Sequence, residues 1–420
     1  MYVCGPTVYD YDHVGHARTY LVFDLLYRVL RHLKYKITYI QNITDVGHLV
    51  NDAEVGADKV QKRAAETGQT PRQIAEHFTS AHLEDMKNLH NLPATNHPKA
   101  SENIKEIQEF ITGLINRGYA YVTGQGNVYF AVSKKKDYGK LSHRGLTELL
   151  TGTRTETASD KHSTADFALW KSSKVNNPEM TWDSPWGRGY PGWHIECSVM
   201  SRKYLGDTFD IHGSAVEHVF PHHENEIAQT EALTDKDMAK FWVHSGMLTV
   251  DGKKMSKSFH NSITVKDALK EYSANEIRLA FYQTHYRKPF DYTKEVMEQG
   301  VVMRRKIFQT YPEMVETIGE DILREITEAL LDDLDTPLAL SIWNENYNKL
   351  GKKETHMLFE LFGIVYSDAE DNEKVMALSK ERDEARSKND YLTADNRKAE
   401  IIQLGYEVVD KPEGSNFIPR

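Results

Sequence analysis

The first 44 residues constrain the fold most, because they predict a strand, a loop, a helix and a second strand in direct succession. Residues 1–10 begin with a short apolar segment that ends at a Gly-Pro turn. Apolar side chains then recur at helical spacing, at Val22, Leu25, Leu26, Val29 and Leu33. Residues 36–44, with the sequence KITYIQNIT, predict the second strand. This order is typical of the parallel sheet in nucleotide-binding α/β proteins.

The next part of the chain predicts two further helices and a β-hairpin. A capping box at 70–73, with proline at the first helical position, predicts the start of one helix. A second helical pattern covers about residues 101–117. Two strand-like segments, 119–123 and 127–132, flank a Gly-Gln-Gly turn and predict a hairpin.

The remaining pattern is polar in the middle and helical towards the C-terminus. Residues 151–177 lack clear periodicity, and we expect a surface insertion with long loops there. After Lys294 the amphipathic segments are 296–313, 320–332, 337–365 and 379–404. A chain of 420 residues exceeds one ordinary domain. We therefore expect a parallel α/β domain followed by a mainly helical part.

Composition excludes several classes of protein. Apolar residues make up 40% and charged residues 27%, which is typical of a globular chain with a sizeable core. Cys4 and Cys197 are the only cysteines, so a disulfide scaffold is excluded and a reducing compartment is favoured. The net charge of −10 argues against a protein that coats nucleic acid or membrane through bulk charge. We expect a cytoplasmic location and no membrane partner.

The first group with chemical potential is the tetrapeptide His13-Val14-Gly15-His16, between the first strand and its helix. The N-terminus of a helix offers free N–H groups and a favourable dipole to phosphate. Gly15 lets a planar base approach the backbone, and both imidazoles can donate hydrogen bonds to phosphates. The tetrapeptide alone is also compatible with an ordinary loop.

The second group is Lys254-Met255-Ser256-Lys257-Ser258, which combines two cations with two small hydroxyl residues. Such a loop can bind phosphate, although a solvated Lys/Ser turn has the same composition. The two groups, about 240 residues apart, are far more specific together than either is alone. Together they resemble the paired nucleotide-binding signatures of class I aminoacyl-tRNA synthetases.

A third group could bind a metal ion. It consists of Cys4, Cys197, His222 and Glu226. The histidine and the carboxylate are four residues apart, so they share one helical face. Two thiolates, an imidazole and a carboxylate form a coherent zinc ligand set. No local CxxC spacing supports a metal, so the residues alone leave open that both cysteines are small buried hydrophobes. For the neighbouring His223 and Glu224 a solvated helix face is the ordinary expectation.

Longer motifs make the resemblance closer. In order, YVCGPTVYD, NITDV, DFALWK, GWHIECSVMS, FPHHENEIAQ and KKMSKS are similar to cysteinyl-tRNA synthetase over essentially the whole chain. The resemblance implies that one zinc ion is bound by Cys4, Cys197, His222 and Glu226. It implies that the cysteine substrate contacts Gly5, Thr7, Thr44 and Trp193. It implies that ATP and the transition state are served by His13, Gly15, His16, Lys254 and Lys257. Glu217 stands where many members carry an aspartate that binds the ATP ribose.

The implied activity joins cysteine to tRNA. ATP, with its Mg²⁺, would activate L-cysteine to cysteinyl-adenylate, and the cysteinyl group would then pass to the 3′ end of tRNA(Cys). A zinc–thiolate contact would distinguish cysteine from serine, so no editing domain would be required. We expect a monomer. Family members carry a strand-bearing lead-in before the segment that matches Met1–Cys4; the sequence is then either an abbreviated variant or one whose start lies upstream.

The resemblance also implies a domain order. We expect an α/β protein with a Rossmann-type parallel-sheet catalytic domain, an α-helical bundle and a small C-terminal α+β domain. The expected catalytic domain covers 1–235 and includes a connective insertion at about 115–190. The region with the lysine-rich loop and tRNA-stem contacts is expected at 236–295. The bundle is expected at 296–370, and an anticodon-binding domain at 374–420.

Two other functions remain open from the sequence. One is a synthetase-derived cysteine ligase that joins activated cysteine to an amino-sugar in mycothiol-type thiol synthesis. The segment that matches the anticodon domain argues against it. The other is a non-catalytic tRNA-binding paralogue, against which both histidines and both lysines of the ATP motifs argue.

Overall fold

The structure is a computed structural model that describes residues 1–49, 57–144, 160–173, 177, 179–255, 261–367, 372–411 and 414–419. The chain divides into two compact units. Unit 1 comprises 1–19, 36–86 and 92–247, and unit 2 comprises 20–35, 87–91 and 248–420. The finer domain boundaries expected from the sequence remain predictions.

The predicted strand–helix–strand unit is present. Its elements are β1 (Tyr2–Val3), α1 (Val14–His32) and β2 (Ile40–Gln41). The second strand is much shorter than the segment 36–44 predicted for it. Beyond β2 the chain leaves the ladder and makes only isolated bridges, from Ile43 to Lys99 and from Thr44 to Thr7. Propensity alone therefore overestimated the strand, because the chain here turns towards the loop that follows β1.

The chain up to residue 247 adds further helices and strands. They are α2 (Lys59–Thr67), α3 (Pro71–Asn88), α4 (Ile104–Asn116), β3 (Ala120–Val122), β4 (Val128–Phe130), β5 (Phe167–Ser172), β6 (Gly189–Pro191), α5 (Trp193–Leu205), β7 (Phe209–Ala215), α6 (Glu224–Thr234) and β8 (Ala239–Ser245). The predicted capping box before α3 is confirmed, because Thr70 and Gln73 exchange hydrogen bonds of 2.9 and 3.2 Å.

A four-stranded parallel sheet lies at the centre of unit 1, in the order β2-β1-β7-β8. Tyr2 in β1 lies opposite Ile40 in β2 and His212 in β7. Because all four strands are parallel, the segments that follow them meet at one edge. The loop after β1, the loop after β2 and the turn after β7 therefore converge, and these segments carry most of the candidate site.

A second, antiparallel sheet has the order β3-β4-β5-β6. The predicted hairpin is confirmed, with Ala120 opposite Phe130. The expectation of surface loops over 151–177 was wrong for β5, where Leu169 and Trp170 are fully buried. These side chains pack in a core with Phe130, which explains a buried strand in a segment that lacks periodicity over its length. Residues 145–159, 174–176 and 178 lie outside the described part of the chain.

Unit 2 is mainly helical after its first strands. Its elements are β9 (Leu248–Val250), β10 (Lys253–Lys254), α7 (Val265–Glu271), α8 (Ala274–Phe281), β11 (Phe290–Tyr292), α9 (Lys294–Thr310), α10 (Glu320–Leu331), α11 (Thr336–Asn346), α12 (Lys352–Phe362), α13 (Glu373–Ser387), α14 (Tyr391–Gln403), β12 (Tyr406–Lys411) and β13 (Gly414–Pro419). Among the described helices, none combines the length and apolar character that a bilayer span needs.

The helical segments predicted for unit 2 are present, but two of them are divided. The segment 337–365 forms α11 and α12, which are separated by a 3₁₀ turn and Gly351. The segment 379–404 forms α13 and α14. The predicted small α+β domain at the C-terminus is confirmed by the antiparallel pairing of β12 and β13. Residues 366–373 are acidic and rich in turn-forming residues, which predicts a linker, and part of this segment, 368–371, lies outside the described residues.

Candidate functional site

Four residues that the sequence suggested as metal ligands lie in one buried cluster of unit 1. Cys4 directly follows β1, Cys197 lies in the first half of α5, His222 precedes α6 and Glu226 is in its first turn. Their ligand atoms all lie within 4.8 Å of one another. The parallel sheet produces this proximity, because the Cys4 backbone N–H donates to the carbonyl of Gly213 in β7, 3.0 Å away.

The separations within this cluster suit several donors around one cation. The Cys4 Sγ lies 4.0 Å from the Cys197 Sγ and 3.8 Å from the Glu226 Oε1. The His222 Nε2 lies 3.1 Å from the Glu226 Oε1. On the opposite side of the His222 ring, Nδ1 lies 2.8 Å from the His194 Nδ1, so a hydrogen bond between the rings orients Nε2 towards the cluster.

Two further histidines extend the cluster. Cys4 and Glu226 also form a compact donor group with His212 and His223. The His212 Nε2 is 2.8 Å from the Glu226 Oε2, and the His223 Nε2 is 3.4 Å from the Cys4 Sγ. The expectation of a solvated face at His223 and Glu224 was wrong, because both are fully buried. Glu224 accepts backbone hydrogen bonds from Gly139, Leu141 and Ser142, which satisfies its carboxylate.

The electrostatics of the cluster favour a cation. Burial raises the pKa of the Cys4 and Cys197 thiols and the pKa of the Glu226 carboxyl above their usual values. Burial, followed by the charge of His194, lowers the pKa of His222 well below its usual value. Without a compensating charge these groups therefore favour their neutral forms. A divalent cation reverses this preference for the thiols and the carboxyl. Soft sulfur with an imidazole and a carboxylate oxygen fits zinc, so the residues present are suited to that metal.

The residues expected to contact cysteine surround the same strand ends. The Thr44 Oγ1 donates to the Glu196 Oε2 at 3.1 Å, and the Thr7 Oγ1 lies 2.5 Å from the His48 Nδ1. The indole of Trp193 stacks on His48, with 3.8 Å between ring centres. Burial, followed by the charge of Cys197, raises the pKa of the Glu196 carboxyl well above its usual value.

Gly5 lies between this pocket and the buried donor cluster. Its backbone N–H donates to the Asn42 Oδ1 at 2.8 Å, and that oxygen also lies 3.7 Å from the Cys197 Sγ. A Cβ atom at position 5 would lie 1.5 Å from the Asn42 carbonyl oxygen. Glycine is therefore required at this position by the close approach of two backbone segments.

The first of the two motifs expected to bind ATP lies at the start of α1. His13 and His16 stack with 3.7 Å between ring centres, and the His16 backbone N–H donates to the His13 carbonyl at 2.9 Å. Gly15 lies in the first turn, where the Thr19 hydroxyl donates to its carbonyl at 3.3 Å. Glu217 is exposed in the turn after β7, at the same edge of the sheet.

The second motif expected to bind ATP belongs to unit 2. Lys254 ends β10 and is exposed. Its carbonyl accepts a hydrogen bond from the Asn261 side chain at 3.2 Å. Lys257 lies outside the described residues, as do the other positions from 256 to 260.

Several buried polar residues of the site were missed in the sequence. They are Asp12, Asn42, His48, His82, Glu196 and His212. A partial signal existed for three of them, because Asp12 directly precedes the His-x-Gly-His motif, Asn42 begins the NITDV motif and Glu196 lies within GWHIECSVMS. His82 and His212 lie within a helix and a strand whose apolar pattern carries no information about buried polar partners.

Comparisons with known proteins identify the family. Residues 1–302 match the family described as "tRNA synthetases class I (C) catalytic domain". A Cysteine--tRNA ligase of Thermococcus kodakarensis is 40% identical over 459 residues, covering 99% of this chain and 93% of the relative. A Cysteine--tRNA ligase of Coxiella burnetii is 38% identical over 444 residues, covering 99% and 94%.

Solved structures support the fold. A Mycobacterium tuberculosis methionyl-tRNA synthetase is similar with a TM-score of 0.62 at 13% identity, covering 86% of this chain and 83% of that one. A complex of an Agrobacterium radiobacter leucyl-tRNA synthetase gives a TM-score of 0.60 at 10% identity, covering 86% and 82%. At such identities the likeness concerns the fold alone. The buried donor cluster, the match over residues 1–302 and the two relatives at 40% and 38% identity lead to one conclusion. The chain is a member of the cysteine--tRNA ligase family of class I tRNA synthetases.

Proposed function

We propose that the chain activates L-cysteine with ATP and transfers the cysteinyl group to the 3′ end of tRNA(Cys), and that one zinc ion selects the cysteine thiolate. The observation that carries the proposal is the buried cluster of Cys4, Cys197, His222 and Glu226. It lies at the strand ends beside the residues expected to contact cysteine. This activity predicts a cytoplasmic protein.

The cluster explains how cysteine could be separated from serine. The two amino acids differ by sulfur for oxygen, and shape alone discriminates such near-isosteres by only about 1–3 kcal/mol. A zinc ion held by Cys4, Cys197, His222 and Glu226 would supply a soft Lewis acid that prefers a thiolate to a neutral hydroxyl. The Cys4 and Cys197 side chains would hold it, and His194 would orient the His222 ring through the hydrogen bond between them.

The residues around the cluster would orient the rest of the amino acid. Trp193 is braced by its stacking on His48, and the Thr44 hydroxyl is fixed by Glu196. Side chains whose own rotamers are locked in this way position a substrate more accurately than mobile ones.

Activation needs positioning and charge stabilisation more than acid–base chemistry. The carboxylate of cysteine is already ionised, so an oxygen of that group can attack the α-phosphorus without a general base. A new P–O bond forms as the bond to the β-phosphate oxygen breaks, and pyrophosphate leaves. His13 and His16 would donate hydrogen bonds to the phosphates, while Lys254 and Lys257 would neutralise developing negative charge. Mg²⁺ arrives with ATP, and Glu217 would accept a hydrogen bond from the ribose.

In the transfer step a terminal ribose hydroxyl of tRNA would attack the activated carbonyl, form the ester and release AMP. The C-terminal α13, α14 and β12–β13 elements would bind the anticodon. Residues 374–420 contain nine basic and nine acidic residues, so recognition there would rest on base contacts more than on bulk charge. Phe417, which packs partly buried in the core of these elements, is the aromatic residue nearest the C-terminus.

The decisive experiment is ATP–pyrophosphate exchange by the full-length chain, measured with cysteine and with serine. We expect exchange with cysteine and little exchange with serine. Cysteine-dependent exchange should be lost when a chelator removes zinc, and it should recover when zinc is returned. Absence of exchange with cysteine would disprove the proposal.

The acceptor is tested separately with the same full-length chain. Charging of tRNA(Cys) supports the proposal, whereas exchange without charging, combined with ligation of cysteine to an amino-sugar, would favour the thiol-synthesis ligase. Charging of tRNA(Cys) with a mutated anticodon should be slower than charging of the unaltered tRNA, if the C-terminal elements read the anticodon.

A further inference from the structure

A buried chain of three side chains lies directly behind the first ATP motif. Asp12, in the loop before α1, is placed between two imidazoles: its Oδ1 lies 2.8 Å from the His16 Nδ1 and its Oδ2 lies 2.5 Å from the His82 Nδ1. The side chains of Asp12 and His82 are 3% and 2% exposed, whereas that of His16 is 41% exposed. The chain thus runs from the interior of unit 1 to its surface.

The carboxylate at the centre of this chain is ionised. Burial by itself raises the pKa of the Asp12 carboxyl, but the charges and hydrogen bonds of His82 and His16 outweigh burial and hold the pKa well below its usual range. A buried carboxylate is tolerated only when donors satisfy its oxygens. Here each oxygen lies beside its own imidazole nitrogen: Oδ2 forms a hydrogen bond with His82, and Oδ1 is within ion-pair distance of His16.

This arrangement determines which nitrogen of His16 is used by the protein. An imidazole has two distinct nitrogens, and the hydrogen bond made by one decides what the other can do. The Nδ1 of His16 lies beside the Asp12 carboxylate, so Nε2 is the atom left for a ligand. Nε2 donates to a phosphate in the form of the ring that carries a proton on each nitrogen. The His13 ring stacks on the same imidazole and limits its rotation from the other side.

His82 plays a different part from the histidine five residues before it on α3. His77 is exposed and makes a 3.3 Å contact with the Tyr11 hydroxyl. His82 is buried, and it also lies close enough to His97 that burial and then the charge of His82 lower the pKa of His97 to about 4. His97 is therefore neutral at pH 7 and does not compete as a cation for Asp12. His82 and His16 are the two groups that hold the carboxylate.

We propose that Asp12 and His82 are positioning residues for His16: Asp12 fixes the imidazole so that Nε2 is directed to ATP, and His82 holds Asp12 in place. This inference rests on the proposed function, because it assigns His16 to ATP. Neither residue touches the substrate, and both act through the His16 ring.

A measurement on the unaltered chain tests the geometry without any assay of activity. Two-bond ¹H–¹⁵N correlation spectra of ¹⁵N-histidine protein report which ring nitrogen carries the proton. The signals of His16 and His82 are assigned by their loss in H16Q and H82Q. We expect a proton on Nδ1 in both rings, a proton on Nε2 of His16 as well once ATP is bound, and altered His16 signals in the Asp12→Asn variant. A His16 ring protonated on Nε2 alone would overturn the proposal.

Kinetics then test the consequence. In cysteine-dependent ATP–pyrophosphate exchange, Asp12→Asn should lower kcat/KM for ATP by about 10- to 100-fold, as removal of the partner that orients a metal-binding imidazole does. The KM for cysteine should stay within about twofold of the original value, which a general loss of structure would not allow. His77→Phe is the matched control on α3 and should leave both parameters unchanged.

A pair of substitutions covers the case in which the Asp12 variant does not fold. His82→Gln keeps an N–H donor for Asp12 and should retain most of the original kcat/KM for ATP. His82→Phe should lower kcat/KM for ATP as Asp12→Asn does, without a matching change in the KM for cysteine. Equal kinetics for the two His82 variants would overturn the role of His82. If the unaltered chain shows no exchange, the proposed function fails; if it does and Asp12→Asn has normal ATP kinetics, only this inference fails.

Discussion

The sulfur atoms of Cys4 and Cys197 lie 4.0 Å apart, although 193 positions separate them in the chain. Both cysteines are buried, and neither forms a disulfide. The separation is too long for a disulfide, whose sulfurs lie about 2.05 Å apart. It matches two ligands that share one metal ion at bond lengths of about 2.3 Å. β1 and α5 therefore bring both cysteines of the sequence to a single candidate site.

The first prediction concerns metal content. Cys197→Ser should reduce bound zinc from about one ion per chain to a small fraction of that, because a neutral hydroxyl is a poor zinc ligand. Elemental analysis after dialysis measures the content, and the cobalt-substituted protein should lose intensity in its thiolate charge-transfer band. Met200→Leu, a volume-conserving change on the same helix, should keep its zinc. Full zinc content in Cys197→Ser would contradict the ligand assignment.

The second prediction concerns Gly5, which lies between the pocket expected to bind cysteine and the buried donor cluster. Gly5→Ala should destabilise unit 1 by at least about 3 kcal/mol, because the new methyl carbon overlaps a backbone carbonyl that cannot move aside without disrupting β2. Urea unfolding measures the change. Gly124→Ala is the control: nothing lies within 4 Å of its added Cβ, and we expect an effect within about 0.5 kcal/mol. Equal effects would show that the contact with Asn42 does not restrict position 5.

The third prediction concerns a buried arginine of unit 2. Arg304 donates to the Glu276 Oε1 at 3.0 Å, to the Pro419 carbonyl at 2.7 Å and to the Glu407 Oε2 at 2.9 Å. Arg304→Lys should cost about 3–5 kcal/mol and loosen the C-terminal hairpin, because lysine cannot make all three contacts and leaves a buried carboxylate unpaired.

The neighbouring arginine is the control for that change. Arg305 is 42% exposed and contacts the Glu407 Oε1 at 2.7 Å. Arg305→Lys should cost less than about 1 kcal/mol, as is usual for exposed ion pairs. Hydrogen exchange of the backbone amides of residues 406–411 measures how far the hairpin loosens. Similar exchange in the two variants would refute the special role of Arg304.

The fourth prediction concerns pH. Burial, followed by the charge of Arg278, lowers the pKa of His90 to about 4 from its ordinary value of 6.5. Between these two values the unfolded chain binds a proton that the folded chain does not, so the free energy of unfolding falls as pH falls from about 6.5 to about 4, by at most about 3 kcal/mol from this residue. The stability contributed by neutral His90 is fully present above pH 6.5.

His90→Asn tests this pH effect with little change in the backbone. His90 has a φ of 64°, a conformation that asparagine tolerates well. Urea unfolding at pH 4, 5, 6 and 7 should show a flatter pH dependence for His90→Asn than for the unaltered chain. His356→Asn removes an exposed histidine and should leave the slope unchanged. Parallel pH curves for the unaltered chain and His90→Asn would contradict the prediction.

Much of the fold follows from local pattern. The apolar spacing of α1, the capping box of α3 and the hairpin of β3 and β4 were all predictable, because each depends on residues close in sequence. The predicted helix 337–365 was wrong in its length, because a 3₁₀ turn interrupts it before Gly351 while the apolar pattern continues. Leu350 is buried within the interruption and maintains the periodicity, so the pattern alone could not reveal the break.

The sequence by itself determined the fold class, the family and the chemical types of residue at the site, because these are carried by periodicity and by long motifs. Only the tertiary structure decided which buried polar groups meet. His223 lies against Cys4, and His82 lies against Asp12. The physical reason is that an apolar pattern records which face of an element is buried. The partner of a buried polar atom depends on the order of strands and on the packing of segments far apart in the chain.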